Sequence, residues 1–140
     1  MKHRARGVTL MELMVVVAVL SIIASIAVPS YRSYLRRAQR ADATVALLQL
    51  RTGQEKFFLQ NGQYADEDQL DVAPPGGLGL SVTSEHGHYT IEVDRPTTTT
   101  FTATATATGG QADDSACQTF TINEVGVRGS SPNGITTCWK

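Results

Sequence analysis

The sequence contains little that supports catalysis or metal binding. Among 140 residues there are two cysteines, one tryptophan and three histidines, and the G-x-S-x-G, P-loop and C-x-x-C motifs of common enzyme and zinc sites are absent. His86-Gly87-His88 holds the only local pair of metal-like ligands; Asp113 and Asp114 are candidates to add to it, but no fixed third ligand is evident. The sequence therefore predicts a protein that is not an enzyme and needs no cofactor or metal.

The chain also lacks an excess of either charge. Twelve basic and thirteen acidic residues give a net charge of −1, so the chain as a whole does not have the positive field of a typical nucleic-acid-binding protein. Most acidic residues lie after position 42, whereas basic residues flank a long apolar run on both sides. The length predicts one modest domain in addition to that run.

The apolar run from Val8 to Val28 has 21 residues and one ionisable side chain, that of Glu12. A helix of that length measures ~32 Å and matches the ~30 Å hydrocarbon core of a membrane. The run is longer than the apolar part of a secretory signal, and no clear A-x-A cleavage site follows it. We expect it to stay in the membrane, with the N-terminus inside. Because a carboxylate in a bilayer costs roughly 2.5–3.5 kcal/mol, Glu12 is expected to have a partner.

The N-terminus resembles the prepilin signal of type IV pilins. A short basic leader precedes Gly7-Val8-Thr9-Leu10-Met11-Glu12, and the apolar helix follows. The resemblance implies that a membrane peptidase cuts between Gly7 and Val8 and that Val8, which replaces the usual Phe, becomes methylated. Glu12 stands at the family's near-invariant glutamate, and Pro29 stands at its helix-kinking proline.

The spacing of Val8 and Glu12 suggests a role for the carboxylate. Cleavage after Gly7 creates a positive amine on Val8, four residues from Glu12, and such residues share one face of a helix. Glu12 can then pair with its own amine or with that of a neighbouring subunit. The resemblance implies the pairing between subunits, which would set the axial register during assembly.

Downstream of Pro29 the pattern predicts an amphipathic helix that ends near Asn61-Gly62. We expect one stripe to face the domain, consisting of Tyr31, Tyr34, Leu35, Ala38, Ala41, Val45, Leu48 and Thr52. Four arginines lie largely off this stripe, without interleaved aromatic residues that suggest base stacking: Arg32, Arg36, Arg37 and Arg40. They form either a solvated face near lipid phosphates or a contact to neighbouring subunits or DNA.

The C-terminal part of the chain alternates between apolar and polar residues. This period of two predicts antiparallel strands around 89–94, 100–108 and 119–123, with one face buried on the helix. A membrane-targeted N-terminus favours an oxidising compartment for this part, and hence a disulfide between Cys117 and Cys138. The bond would close a 22-residue loop and stabilise the fold by ~3 kcal/mol. The alternative is two unpaired thiols in a cytosolic protein.

Together these features predict an α+β fold of the type IV pilin kind, in which a long N-terminal spine helix packs on a small antiparallel sheet with a disulfide-bounded C-terminal loop. The predicted segments are a cleaved leader (1–7), a transmembrane half-helix (8–30), an amphipathic half-helix (31–60), a connecting loop (61–78) and the sheet region (79–140). The short leader, short chain and threonine-rich strands resemble minor pilins of the PilE kind.

The resemblance implies a structural subunit of a type IV pilus, with roles in pilus biogenesis, twitching motility, adhesion or DNA uptake. Its partners would be other pilin subunits, the prepilin peptidase that also methylates, the inner-membrane assembly machinery and inner-membrane lipid, with DNA or a host or abiotic surface as further candidates. It would reside in the inner membrane with a periplasmic C-terminal domain, and then in an extracellular pilus. The alternatives are a pseudopilin of a type II secretion system, a DNA-binding or adhesive tip pilin, and a single-span protein unrelated to filaments.

Overall fold

The computed structural model describes residues 8–139, so Gly7 and the rest of the predicted leader lie outside the described residues. The chain divides into two compact units, residues 1–35 and 36–140. One helix, α1, spans Leu10–Asn61 and contributes residues to both units. The predicted helix is confirmed, and its end at Asn61 is followed by Gly62, whose φ of 69° and N–H bond to the Phe58 carbonyl form a left-handed cap.

The described part of the first unit is helical and exposed. All side chains from Val8 to Leu35 are exposed, including large apolar ones such as Leu10 at 76% and Ile26 at 71%. An 18-residue window of α1 has a mean hydropathy of 2.6, which makes it long and apolar enough to cross a membrane. Pro29 lies inside the helix, as the sequence predicts.

The second unit contains a four-stranded antiparallel sheet. Its strands are β1 (Tyr89–Thr97), β2 (Thr100–Ala107), β3 (Cys117–Asn123) and β4 (Arg128–Pro132), and they pair in the order of the sequence. The three predicted strands are confirmed. β4 lies where the sequence predicted a loop, because glycine, serine and proline have little preference for strands. A short helix, α2 (Ile135–Cys138), follows.

The core lies between one face of α1 and the apolar face of the sheet. Ala103 and Ala105 on β2 are completely buried, and their small side chains allow the helix to pack closely. The buried residues of α1 are Ala43, Leu47, Leu50, Gln54 and Phe57. Gln54 is satisfied there, because its amide oxygen accepts from the Ala65 N–H at 2.8 Å and its NH₂ donates to the Ala65 carbonyl at 2.9 Å.

The predicted apolar stripe of α1 was therefore wrong in its phase. Val45 and Leu48, which the pattern placed in the core, are 46% and 40% exposed. The second half of α1 carries two apolar stripes at helical spacing, and periodicity alone does not tell which one the sheet will cover.

The predicted disulfide between Cys117 and Cys138 is present, and both residues are buried. It joins the start of β3 to α2. The loop predicted between the two cysteines is more regular than expected, because β3 and β4 form a hairpin inside it.

Candidate nucleic-acid interface

Glu12 lies in the first turn of α1, and Thr9 caps that turn. The Thr9 hydroxyl accepts a hydrogen bond from the Glu12 N–H at 3.2 Å. Thr9 and Glu12 have the T-x-x-E spacing of a capping box, a signal that the sequence carries and that sequence reasoning missed. A carboxylate near a helix N-terminus is also favoured by the helix dipole. The Thr9 hydroxyl thus caps the helix, and the Glu12 carboxylate lies in the turn where the helix dipole favours it.

Arg40 is not part of a solvated face, and that prediction was wrong for this residue. Its guanidinium donates two hydrogen bonds to the Asp114 carboxylate, at 2.6 and 2.9 Å, with only 12% and 6% of the two side chains exposed. Burial by itself raises the pKa of Asp114, but the hydrogen bond and charge of Arg40 outweigh it and hold that pKa below its ordinary value. Arg40 therefore stabilises the fold through a largely buried ion pair with Asp114.

The same network reaches the core of the sheet. Gln111 donates to the Tyr89 hydroxyl at 2.9 Å and to the Arg36 carbonyl at 3.1 Å. Burial raises the pKa of Tyr89 to about 12, so this hydroxyl stays protonated. The network fixes the turn that follows β2 onto α1.

Three arginines that are far apart in the sequence lie at the other end of the sheet. β1 and β3 end where β2 and β4 begin, which places Arg95, near the end of β1, and Arg128, at the start of β4, at the same end of the sheet but on its two edge strands. Arg51 of α1 joins them, because a Cβ on Gly126 in the β3–β4 turn would lie 3.2–3.3 Å from its guanidinium. We call this surface the arginine end, defined by Arg51, Arg95 and Arg128.

The three guanidinium groups differ in their hydrogen bonds and in their exposure to solvent. Arg95 donates to the Asp66 carboxylate at 2.8 Å, and Arg51 donates only a long bond of 3.4 Å to the Glu124 carbonyl. Both are half-buried, whereas Arg128 is exposed. Arg128 is thus the member of the arginine end best placed to contact an external anion.

The side chain of Trp139 contacts that of Arg128. The guanidinium carbon of Arg128 lies 4.9 Å from the centre of the Trp139 ring, a cation–π arrangement. The indole N–H donates to the Gly129 carbonyl at 2.7 Å, and the ring packs edge-on against Phe120 at 5.9 Å. Sequence reasoning missed this pairing, because the two residues are eleven positions apart in a region without clear periodicity.

The arginine end also has hydroxyl groups beside it. The hairpin between β1 and β2, residues 97–100, consists of four threonines, three of which are exposed. Arginine and threonine side chains are common donors to the phosphates of DNA. The second unit carries eight basic and twelve acidic residues, a net charge of −4, so any anion-binding surface on it has to be local.

The candidate metal ligands are not brought together as one set. Asp114 is engaged by Arg40, whereas His86 and His88 lie on the turn before β1, with ring centres 6.2 Å apart. Within residues 8–139, no group of three or more histidine, cysteine, aspartate or glutamate side chains is placed to hold a metal ion.

The fold is similar to that of two solved pilins. A type IV pilin from Shewanella oneidensis has a TM-score of 0.52 and 23% identity, covering 75% of this chain and 98% of that chain. The non-core minor pilin PilV of Neisseria meningitidis has a TM-score of 0.53 and 18% identity, covering 72% and 91%. These similarities confirm the predicted type IV pilin fold. No curated protein sequence gives a significant match.

Two family models match consecutive parts of the chain. The prokaryotic N-terminal methylation motif matches residues 2–28, which confirms the resemblance of this segment to the prepilin signal. The family described as type IV minor pilin ComP, DNA uptake sequence receptor, matches residues 29–121. This match favours a type IV pilin over the pseudopilin alternative. Pilins are structural proteins and not enzymes, and the chain belongs to the ComP family of type IV minor pilins.

Proposed function

We propose that this minor pilin is the DNA-receptor subunit of a type IV pilus and that its arginine end contacts the phosphates of double-stranded DNA. The observation that carries this proposal is the match of residues 29–121 to a family described as a DNA uptake sequence receptor. The exposed guanidinium of Arg128 in the arginine end and the exposed hydroxyls at 97–100, at the same end of the sheet, support it. Phosphate contacts of this kind position a protein on DNA.

The first unit is the part of the chain through which the subunit is processed and assembled into the filament. The prepilin peptidase cuts between Gly7 and Val8 and methylates Val8, and the subunit waits in the inner membrane with its second unit in the periplasm. Residues 8–30 then pack among the helices of other pilin subunits in the extracellular filament. Glu12 pairs with the Val8 amine of a neighbour and sets the register. The apolar, fully exposed segment after Val8 supports this route.

The Trp139 ring, over which the Arg128 guanidinium lies, fixes the position of the proposed DNA contact. A guanidinium that lies on an indole ring keeps its edge N–H groups available while its flexibility is reduced. Since Trp139 is itself held by the Gly129 carbonyl and by Phe120, Arg128 is presented at a fixed place beside the β3–β4 turn.

Binding of labelled duplex DNA to the full-length chain in detergent micelles, measured over a range of salt concentrations, tests the proposal. Arg128→Gln is expected to weaken binding and to reduce the salt slope by about 1, since one phosphate contact is lost. Lys56→Gln is the matched control, because Lys56 is an exposed cation on the face of α1 away from the core. The proposal is contradicted if Arg128→Gln binds like the wild type, or if both variants weaken binding equally.

A further inference from the structure

The turn before β1 presents two histidine side chains together. His86 and His88 flank Gly87, whose φ of 72° is the left-handed conformation that glycine adopts readily. The imidazole rings are nearly parallel, with an interplanar angle of 13° and centres 6.2 Å apart. Neither ring takes part in the core or in the arginine end, so the fold and the proposed DNA contact leave this pair unexplained.

Asp42 of α1 organises this turn. One of its carboxylate oxygens accepts a 2.6 Å hydrogen bond from the Ser84 hydroxyl. The other lies 3.2 Å from Nδ1 of His86 and also accepts from the His86 backbone N–H at 3.4 Å. Only 6% of the Asp42 side chain is exposed, whereas 67% of the His86 side chain is exposed. A buried carboxylate thus holds an exposed imidazole.

The contact with Asp42 determines which nitrogen of His86 is available. An ionised carboxylate only accepts hydrogen bonds, so Nδ1 of the neutral ring carries the hydrogen and Nε2 keeps its lone pair. Histidines that bind metals in proteins are oriented in this way by a carboxylate on the second ring nitrogen. Asp42 therefore prepares Nε2 of His86 to act as a ligand.

The backbone of the second histidine is fixed as well. The His88 carbonyl accepts from the Thr108 N–H at 2.9 Å, and the Thr108 hydroxyl donates to the Gly87 carbonyl at 3.3 Å. Since the backbone is held on both sides of Gly87, the two imidazole side chains are attached at fixed positions. Two ligands on a fixed backbone lose less conformational freedom on binding than two ligands on a mobile loop.

We propose that His86 and His88 chelate one divalent transition-metal ion, Cu²⁺ most strongly, with water completing the coordination and Asp42 as a positioning residue. Imidazole nitrogen suits Cu, Ni and Zn, and Cu²⁺ has the highest affinity among the first-row divalent ions. The absence of a larger ligand group within residues 8–139 limits the protein's contribution to these two nitrogens. This inference does not depend on the proposed DNA function.

Copper titration of the full-length chain in detergent micelles, followed by calorimetry and electron paramagnetic resonance, tests this site. The chain carries His3→Ala in all samples, which leaves His86 and His88 as the only histidines. The expected result is one Cu²⁺ per chain with two imidazole nitrogens in the spectrum. His86→Ala and His88→Ala should each weaken binding at least about tenfold and leave one imidazole nitrogen.

Asp42→Asn tests the positioning role. It should weaken Cu²⁺ binding by about 10–100-fold while two imidazole nitrogens remain in the spectrum. Glu85→Gln is the matched control, since Glu85 is an exposed carboxylate in the same turn, and its affinity should equal that of the parent. The proposal is overturned if the double variant His86→Ala, His88→Ala binds Cu²⁺ as tightly as the parent, or if Glu85→Gln removes binding.

Discussion

Arg40 and Asp114 form an ion pair whose partners lie 74 positions apart in the sequence. The arginine stands in a group of four basic residues after the apolar run, which locally resembles a solvated face. Its partner comes from the turn after β2, and a single sequence gives no sign that the two meet. The prediction for Arg40 failed for this reason, whereas the prediction for Cys117 and Cys138 succeeded because the chain offers only one pairing.

Asp114→Asn is expected to lower the free energy of unfolding at pH 7 by about 3 kcal/mol, because it leaves the buried guanidinium of Arg40 without its counter-charge. The folded-state pKa of Asp114 lies below its ordinary value of 3.8. Its stabilising contribution is therefore present above that ordinary value and is lost as the pH falls through the folded-state value.

Urea denaturation at pH 7 and at pH 3 measures both effects. The wild type should lose more stability on acidification than Asp114→Asn. Asp113→Asn provides the control, since Asp113 is the exposed neighbour and its replacement should change stability by less than about 0.5 kcal/mol. Equal losses in wild type and Asp114→Asn would show that the ion pair is not the source of the pH dependence.

Glu12→Ala is expected to be cleaved after Gly7 at the normal rate but to enter filaments poorly, because the amine on Val8 of the neighbouring subunit loses its counter-charge. The ratio of this chain in sheared filaments to that in the membrane measures incorporation. Thr9→Ala removes the hydroxyl that caps the helix but keeps the carboxylate, and it should be incorporated normally. Incorporation of Glu12→Ala at the wild-type level would contradict the proposed role of Glu12 in setting the register between subunits.

At the scale of elements, α1 shows what periodicity can and cannot determine. Its existence, its passage through Pro29 and its end at Asn61 follow from the apolar run, the helical spacing and the Asn-Gly stop. Its orientation does not, because two apolar stripes compete and the choice between them depends on where β2 and β3 lie. The alternation of β2 was the clearest strand signal, and β4 had none, since it forms only by pairing with β3.

Two adjacent leucines on α1 test the corrected orientation of the helix. Leu47 is completely buried against the sheet, whereas Leu48 is 40% exposed. Leu47→Ala should lower the free energy of unfolding by about 2–5 kcal/mol, through lost burial and the cavity left behind. Leu48→Ala should cost far less, and it is the matched control because the residue type and the helix position are nearly the same.

Chemical denaturation of both variants under identical conditions gives the comparison. A larger loss for Leu48→Ala than for Leu47→Ala would contradict the observed phase and favour the stripe that the sequence pattern suggested.

At the scale of the whole molecule, the chain combines a long apolar helix with a small domain that contains a disulfide. The helix and its resemblance to a prepilin signal could be predicted from local sequence, because both depend on consecutive residues. The arginine end could not, since the strand order alone places Arg95 and Arg128 at one end of the sheet, and Arg51, Arg95 and Arg128 look isolated along the chain.

We infer that this chain is a filament subunit that carries its second unit out of the cell on a retained apolar helix. Intact-mass measurement of the chain in sheared surface filaments and in the inner membrane tests this claim most directly. We predict a species in the filament fraction that begins at N-methylated Val8 and retains the disulfide. An uncut chain that keeps Met1 to Gly7, or a processed chain confined to the cell envelope, would contradict the account.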